Sequence, residues 1–144
     1  MSVSHILGVK GRSVITAAAK ETIHGTAQKL SQHKIGAVVI VDDKGAIAGI
    51  VSERDIVRAL AQHGEKAMVM PVSGIMSKTV RTCKVGDSET ELMALMTNHR
   101  IRHLPVVDGG KLAGMISIGD VVKFRIEAIE REAEEMKSYI ASAG

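Results

Sequence analysis

The chain carries the segment Ala48-Gly49-Ile50-Val51-Ser52-Glu53-Arg54-Asp55 and repeats its pattern later as Ala113-Gly114-Met115-Ile116-Ser117-Ile118-Gly119-Asp120. Working outward from these two stretches, the likeness extends in both directions. Upstream, Val14 matches Val80, Thr16 matches Thr82, His33 matches His99, Ile35 matches Ile101, and Val41-Asp42 matches Val107-Asp108. Downstream, Val57 matches Val122. A single one-residue gap, where Asp43–Gly45 faces the shorter Gly109-Gly110, keeps the two copies in step. A gap confined to a turn is the mark of an internal duplication, and the duplication governs the reading of the fold.

Each copy has the order β-α-β-β-α. An extended piece (Ser13–Thr16; Thr79–Thr82) precedes a helix whose N-caps are Thr22 and Ser88, and Ser88 with Glu91 has the spacing of a capping box. The apolar runs 37–41 and 103–107 and the segments Ile47–Val51 and Leu112–Ile116 read as hairpin strands joined by an Asp/Gly turn. A closing helix starts just after Ser52 or Ser117. Neither copy can bury a large core alone, so the expected fold is α+β, with two repeats packed by pseudo-twofold symmetry and clefts between them. The division expected is a first repeat at 1–63, a linker and lead-in at 64–76, a second repeat at 77–126, and a C-terminal helical extension at 127–144. The helix that closes the second copy runs over about Gly119–Ser142. Its apolar residues Val122, Ile126, Ile129, Ala133, Met136 and Ile140 follow a heptad-like rhythm. That rhythm fits packing on its own domain or a seam in a homodimer.

Composition removes several classes of function. Hydrophobic residues make up 45% and charged residues 24%, the balance of an ordinary globular protein. Aromatic residues are only 1%, Phe124 and Tyr139, so no platform for stacking bases exists. The formal net charge of +3 comes from scattered Lys and Arg, which speaks against a nucleic-acid partner. No apolar run approaches the ~18 residues of a membrane span, and the lone Cys83 suits a reducing compartment. The expectation is a cytoplasmic protein with no membrane partner. No phosphate-loop, dinucleotide-fingerprint or nucleophile-elbow pattern occurs. His99 and His103 are four apart but cross from helix to strand, so they do not form a metal pair, and Cys83 has no neighbour to activate it. The reading is of a non-enzyme with no catalytic residue, no metal and no catalytic cofactor.

The Ser-x-x-Asp that ends each hairpin has two physical uses. It is a helix N-cap with an acid in the first turn. A helix start of this kind also offers free N–H groups to phosphate, and its carboxylate can accept hydrogen bonds from vicinal ribose hydroxyls. A nucleotide would lie with its ribose on Asp55 or Asp120 and its base in an aliphatic slot.

Taken together, the duplicated unit, Ile101–Asp108 (IRHLPVVD), GIVSERD, GMISIGD and the lead-in Val72–Met76 (VSGIM) resemble tandem cystathionine-β-synthase (CBS) domains, of the kind found as stand-alone bacterial pairs. The likeness covers the chain from about residue 6 to residue 140. It implies a regulatory or sensor module that binds an adenine nucleotide (AMP, ADP, ATP or NAD) or S-adenosylmethionine and acts on a regulated protein of unknown identity; the alternative is a dimerisation scaffold with no nucleotide. By position, the resemblance implies that the ribose-binding residues are Asp55 and Asp120 with Ser52 and Ser117, and that Gly36 and Arg102 face the phosphate. It places the base contacts at Thr16–Ala18 with Ile35–Ala37, and at Thr82–Lys84 with Ile101–His103. The strand residue Met115 adjoins Ser117. One site would join Asp120, Ser117 and Arg102 to Thr16 and Ile35; the other would join Asp55, Ser52 and Arg54 to Thr82 and Ile101. Arg102 and His103 are expected to act as a cationic pair, which makes the Asp120 site the favoured one.

Overall fold

The computed structural model describes residues 2–143. The first repeat comprises β1 (Thr16–Ala18), α2 (Ile23–His33), β2 (Ala37–Val41), β3 (Ile47–Ser52) and α3 (Glu53–His63). The second comprises β4 (Cys83–Lys84), α4 (Glu89–His99), β5 (His103–Asp108), β6 (Lys111–Ser117) and α5 (Ile118–Ala143). A further helix, α1 (Val3–Lys10), precedes them, and two 3-10 helices (Gly64–Val69 and Val72–Gly74) lie between them. The fold is α+β, as the pattern implies. In each sheet a central strand pairs in parallel with the short first strand and antiparallel with the third. The two copies share even their irregularity, a register shift at Ile40/Val41 and again at Val106/Val107.

The helix starts follow their sequence signals. Thr22 Oγ1 accepts from the Gly25 N–H, and Ser88 with Glu91 forms the capping box. Both helices end at a non-glycine residue in the left-handed region, Lys34 at φ 54° and Arg100 at φ 52°. That conformation costs roughly 1–2 kcal/mol in an L-residue. Because the two copies share it, it belongs to the architecture of the repeat.

Three features depart from the linear reading. The extended pieces expected at Ser13–Thr16 and Thr79–Thr82 form strands a few residues later, at Thr16–Ala18 and Cys83–Lys84. The linker expected between the copies is helical, and it buries Ala67 and Val72 in the first core. The third is an exchange of lead-ins. Val3, Ile6 and Leu7 of α1 are buried in the core of the second repeat with Leu92, Leu104, Ile116 and Phe124. The segment at 71–76 packs on the core of the first. The backbone bonds correspond: Val3 N–H donates to Asp87 O (2.9 Å) and Ser4 to Val85 O (2.9 Å), while Val72 donates to Glu21 O (2.7 Å) and Ser73 to Ala19 O (3.1 Å). Two glycines make room for the crossing segments. A β-carbon at Gly114 would lie 2.6 Å from Leu7 Cδ2, and one at Gly49 would lie 2.7 Å from Met76 Sδ. The repeats are thereby tied to each other through sequence that precedes each of them.

Candidate functional site

Each closing helix begins where a strand delivers Ser-x-x-Asp to the surface between the repeats. At α3, Asp55 Oδ2 accepts from the Ser52 N–H (2.9 Å) and the Ser52 hydroxyl (3.1 Å). The Gly36 carbonyl accepts from the Glu53 N–H (3.0 Å), which holds the start of β2 against the start of α3. The second repeat reproduces this, with Ser117 N–H on Asp120 Oδ2 (2.8 Å) and Ile118 N–H on the Arg102 carbonyl (2.8 Å). So the residues that the duplication made equivalent, Gly36 with Arg102 and Asp55 with Asp120, occupy equivalent places.

A cleft of about 720 Å³ opens beside Asp55, a volume in the range of small-molecule sites. The first repeat contributes Gly36, Ala37, Ser52, Arg54 and Asp55 to its walls, and the second contributes Ile101, Arg102 and His103. This joins Ser52, Arg54 and Asp55 to Ile101 across the repeats, in the combination expected. Thr82 does not line the cleft; Ser77, Thr79, Val80 and Arg81 do. Arg102 and His103, which sequence placed at the Asp120 site, face this cleft as well. Thr16, Ala18, Ile35, Met115, Ser117 and Asp120 lie off it. Thr16 and Ala18 instead hold a local network, in which Lys29 donates to the Thr16 carbonyl (2.8 Å) and to Glu21, and Glu21 accepts from the Ala18 N–H (2.6 Å). Burial works to raise the Glu21 pKa, but Lys29 and the Ala18 amide outweigh it and hold the carboxyl below its usual value.

Five arginines border the cleft: Arg54, Arg58, Arg81, Arg100 and Arg102. Only Arg58 reaches a carboxylate, Asp55 Oδ1 at 3.7 Å, among the described residues. Arg58 could have been found from the i, i+3 helical spacing to Asp55. Arg81 and Arg100 carried no such signal, since the pairing of Ser77 with Ile50 and the left-handed end of α4 bring them in. His103 is the weaker half of the cationic pair expected with Arg102: burial, and then the charge of Lys10, push its pKa below the ordinary 6.5 and disfavour the charged ring.

At the second helix start the carboxylate is already engaged. Lys10, the last residue of α1, places Nζ 2.5 Å from Asp120 Oδ2 and 2.7 Å from the Met115 carbonyl. Burial opposes ionisation of Asp120, yet the Lys10 ammonium and the Ser117 amide hold its carboxyl below the usual range. The two helix starts, alike in backbone, therefore differ in what the site offers.

Nucleophilic chemistry has no support in this arrangement. The Cys83 thiol is buried, and burial with the nearby Asp87 pushes its pKa up to about 12, so it stays protonated. The Ser52 and Ser117 hydroxyls are committed to the Asp55 and Asp120 amides as helix caps. No described helix is long and apolar enough to cross a membrane.

Comparison with known proteins accords with this architecture. The sequence profile of the CBS domain matches residues 6–62 and 72–127. The CBS-domain containing protein ATU1752 from Agrobacterium tumefaciens is similar in structure, with TM-score 0.85 and 45% identity over 87% of this chain and 99% of that one. The mitochondrial CBS domain-containing protein CBSX3 of Arabidopsis thaliana is 31% identical over 96% of this chain and 71% of its own length. The CBS domain pair of protein MJ0100, solved in complex with 5′-methylthioadenosine and S-adenosyl-L-methionine, superposes with TM-score 0.80 at 27% identity, covering 89% of this chain and 98% of that one.

Proposed function

The chain belongs to the CBS-domain family, and we propose that it is a non-enzymatic regulatory module that binds adenine nucleotides in the cleft between its repeats. The observation that carries this reading is the pairing of Asp55, at the start of α3, with four guanidiniums around one cleft (Arg54, Arg81, Arg100 and Arg102) that no carboxylate neutralises among the described residues. A ribose diol donates to the carboxylate, and phosphate oxygens accept from the guanidiniums, whose planar fork suits bidentate contact. The MJ0100 pair shares the fold and holds adenosyl ligands. An adenosyl group carrying phosphate, as in AMP, ADP, ATP or NAD, fits this cleft better than the cationic sulfonium of S-adenosylmethionine, because the charge of the walls is positive.

Ligand-free protein titrated calorimetrically with AMP, ATP, NAD and S-adenosylmethionine tests the reading. Binding of the phosphate-bearing ligands, ahead of the sulfonium, is the expected result. Failure of all of them to bind below about 1 mM, a free energy of about −4 kcal/mol, overturns it.

A second element of the proposal concerns assembly. The helix α5 buries only Val121 and Phe124, while Val122, Ile126, Ile129, Met136 and Ile140 stand at or near half exposure or beyond along one heptad seam. That seam fits a second copy of the chain, so that the module signals through the geometry of a homodimer. It would serve a scaffold without nucleotide equally well, and the titration above separates the two.

A further inference from the structure

The cationic side chains of the Asp55 cleft come from separate parts of the chain. Arg54 and Arg58 stand on the first two turns of α3, Arg81 on the segment that enters β4, Arg100 at the left-handed end of α4, and Arg102 just ahead of β5. Against these five arginines the cleft sets only two carboxylates, Glu53 and Asp55, which leaves an excess of three positive charges, its histidines set aside. Asp55 is committed to Ser52 and lies 3.7 Å from Arg58. Among the described residues no carboxylate forms an ion pair with Arg54, Arg81, Arg100 or Arg102. A terminal phosphate has three free oxygens, and bidentate contact with one guanidinium uses two of them. One phosphate is therefore saturated by one or two of these arginines, and the full set calls for a chain of phosphates.

We propose that this cleft reads the length of a phosphate chain: it prefers a nucleoside polyphosphate to the monophosphate, takes it without a bound Mg²⁺ ion, and owes the preference to Arg81 and Arg100. The proposal rests on the nucleotide-binding reading above and names its ligand class. A monophosphate brings about two negative charges, fewer than the excess in the walls, and each phosphate added to the chain brings about one more. Like charges around one cleft repel, and a longer polyanion relieves more of that repulsion. Magnesium works against this, because on the phosphates it cancels the charge that the guanidiniums match. Sites that hold Mg²⁺ with a nucleotide supply carboxylates beside the phosphate oxygens. Here Asp55 is taken by Ser52, and among the described residues no group of three His, Cys, Asp or Glu is placed to hold a metal ion. Arg54 adjoins Asp55, where the ribose and its first phosphate would sit; Arg81 and Arg100 belong to the second repeat and are left for the rest of the chain.

The test is calorimetric titration of the intact, ligand-free protein with AMP, ADP and ATP in EDTA, and with ATP in excess Mg²⁺. It compares the wild type with a double variant, Arg81→Gln with Arg100→Gln, and with its charge-keeping counterpart, Arg81→Lys with Arg100→Lys. Both residues are exposed, so the substitutions leave the two cores untouched. Wild-type affinity should rise from AMP through ADP to ATP by about tenfold, the scale of two further exposed ion pairs. High salt should narrow that gap, and excess Mg²⁺ should remove most of it. The glutamine variant should lose the preference for ATP over AMP, and the lysine variant should keep most of it. Equal affinity for AMP and ATP in EDTA overturns the proposal while leaving nucleotide binding intact. So does tighter binding of ATP with Mg²⁺ than without, or a glutamine variant that keeps the wild-type ratio. Failure of all three nucleotides to bind overturns this proposal and the functional reading together.

Discussion

Gly36 and His103, one from each repeat, stand so close that a β-carbon at Gly36 would lie 3.0 Å from both Cε1 and Nε2 of the ring. Both residues line the Asp55 cleft. The contact explains why the position equivalent to Arg102 is a glycine here: a side chain would meet the imidazole of the other repeat. Gly36→Ala should therefore displace His103 and strain the junction, lowering stability by roughly 1–3 kcal/mol as overpacking does. Thermal unfolding and nucleotide titration check this. A variant that melts with the wild type and binds equally well would show that the contact is slack.

The dual use of Ser-x-x-Asp can be resolved by two substitutions. Ser52 caps α3 through its hydroxyl, which accepts from the Asp55 N–H at 3.3 Å. Ser52→Ala should cost about 1 kcal/mol of stability and leave nucleotide affinity within a few-fold. Asp55→Ala loses its part of the capping box too, but should in addition weaken nucleotide binding by roughly 1–3 kcal/mol, the scale of a lost charged hydrogen bond. If the two variants lose affinity in parallel with stability, Asp55 serves the helix alone.

Local signals made much of this legible. The Ser88–Glu91 capping box, the Asp/Gly turns and the apolar strand runs act within a few residues, and each appears where the sequence puts it. Ser52, Arg54, Asp55 and Ile101 meet at one cleft because the duplication fixes equivalent places. What could not be read was long-range. Leu7 is apolar in an unremarkable stretch, and nothing local says that it docks against Gly114 in the other repeat. Lys10 sits on Asp120 as a consequence of that docking, and the same exchange brings Ser77 and Arg81 to the Asp55 cleft. The lowered pKa of His103 likewise follows from burial, which composition does not disclose.

The exchange has a measurable price in stability. Leu7 is 1% exposed and packs on a glycine, so Leu7→Ala leaves a cavity in the second core. The expected loss is about 2–5 kcal/mol. Native-state hydrogen exchange should show it first in β5 and β6, although the substitution lies at the far end of the chain. Loss of protection confined to α1 would mean that α1 is an appendage and not part of the core.

His103 gives the protein a mild acid sensitivity. Burial and the charges of Lys10 and Arg102 lower its pKa, against the opposing influence of Glu53 and Asp120. With the folded-state pKa below the unfolded value, the unfolded chain takes up the proton first as pH falls. Stability is then full above about pH 6.5 and declines as pH drops from there through the folded pKa. Asp120, also depressed, contributes above the unfolded carboxylate pKa and is lost at lower pH still, as acid titrates the Lys10 pair. His103→Gln should remove the first part of the decline and leave the second. Lys10→Met should raise the His103 pKa, read from its ring proton shifts. A pKa that stays in place would show that Lys10 does not act on the ring.

The homodimer proposed for this chain would use the exposed apolar stripe of α5. Ile126 and Ile129 are 50% and 51% exposed on a helix whose other faces carry Glu127, Glu130, Arg131, Glu134 and Lys137. An apolar stripe left in water over this length of helix is stabilised by a partner stripe, with the flanking charges at its rim. Ile129→Glu puts a carboxylate at the centre of the seam. Within a single chain that side chain stays in solvent, so folding should change by no more than about 0.5 kcal/mol. Between two chains it would be buried without a partner, and dimerisation should weaken by at least tenfold, about 1.4 kcal/mol. Sedimentation velocity across a range of protein concentrations measures this directly. A wild type that stays monomeric throughout, or an Ile129→Glu variant that dimerises as well as wild type, would remove α5 as the seam.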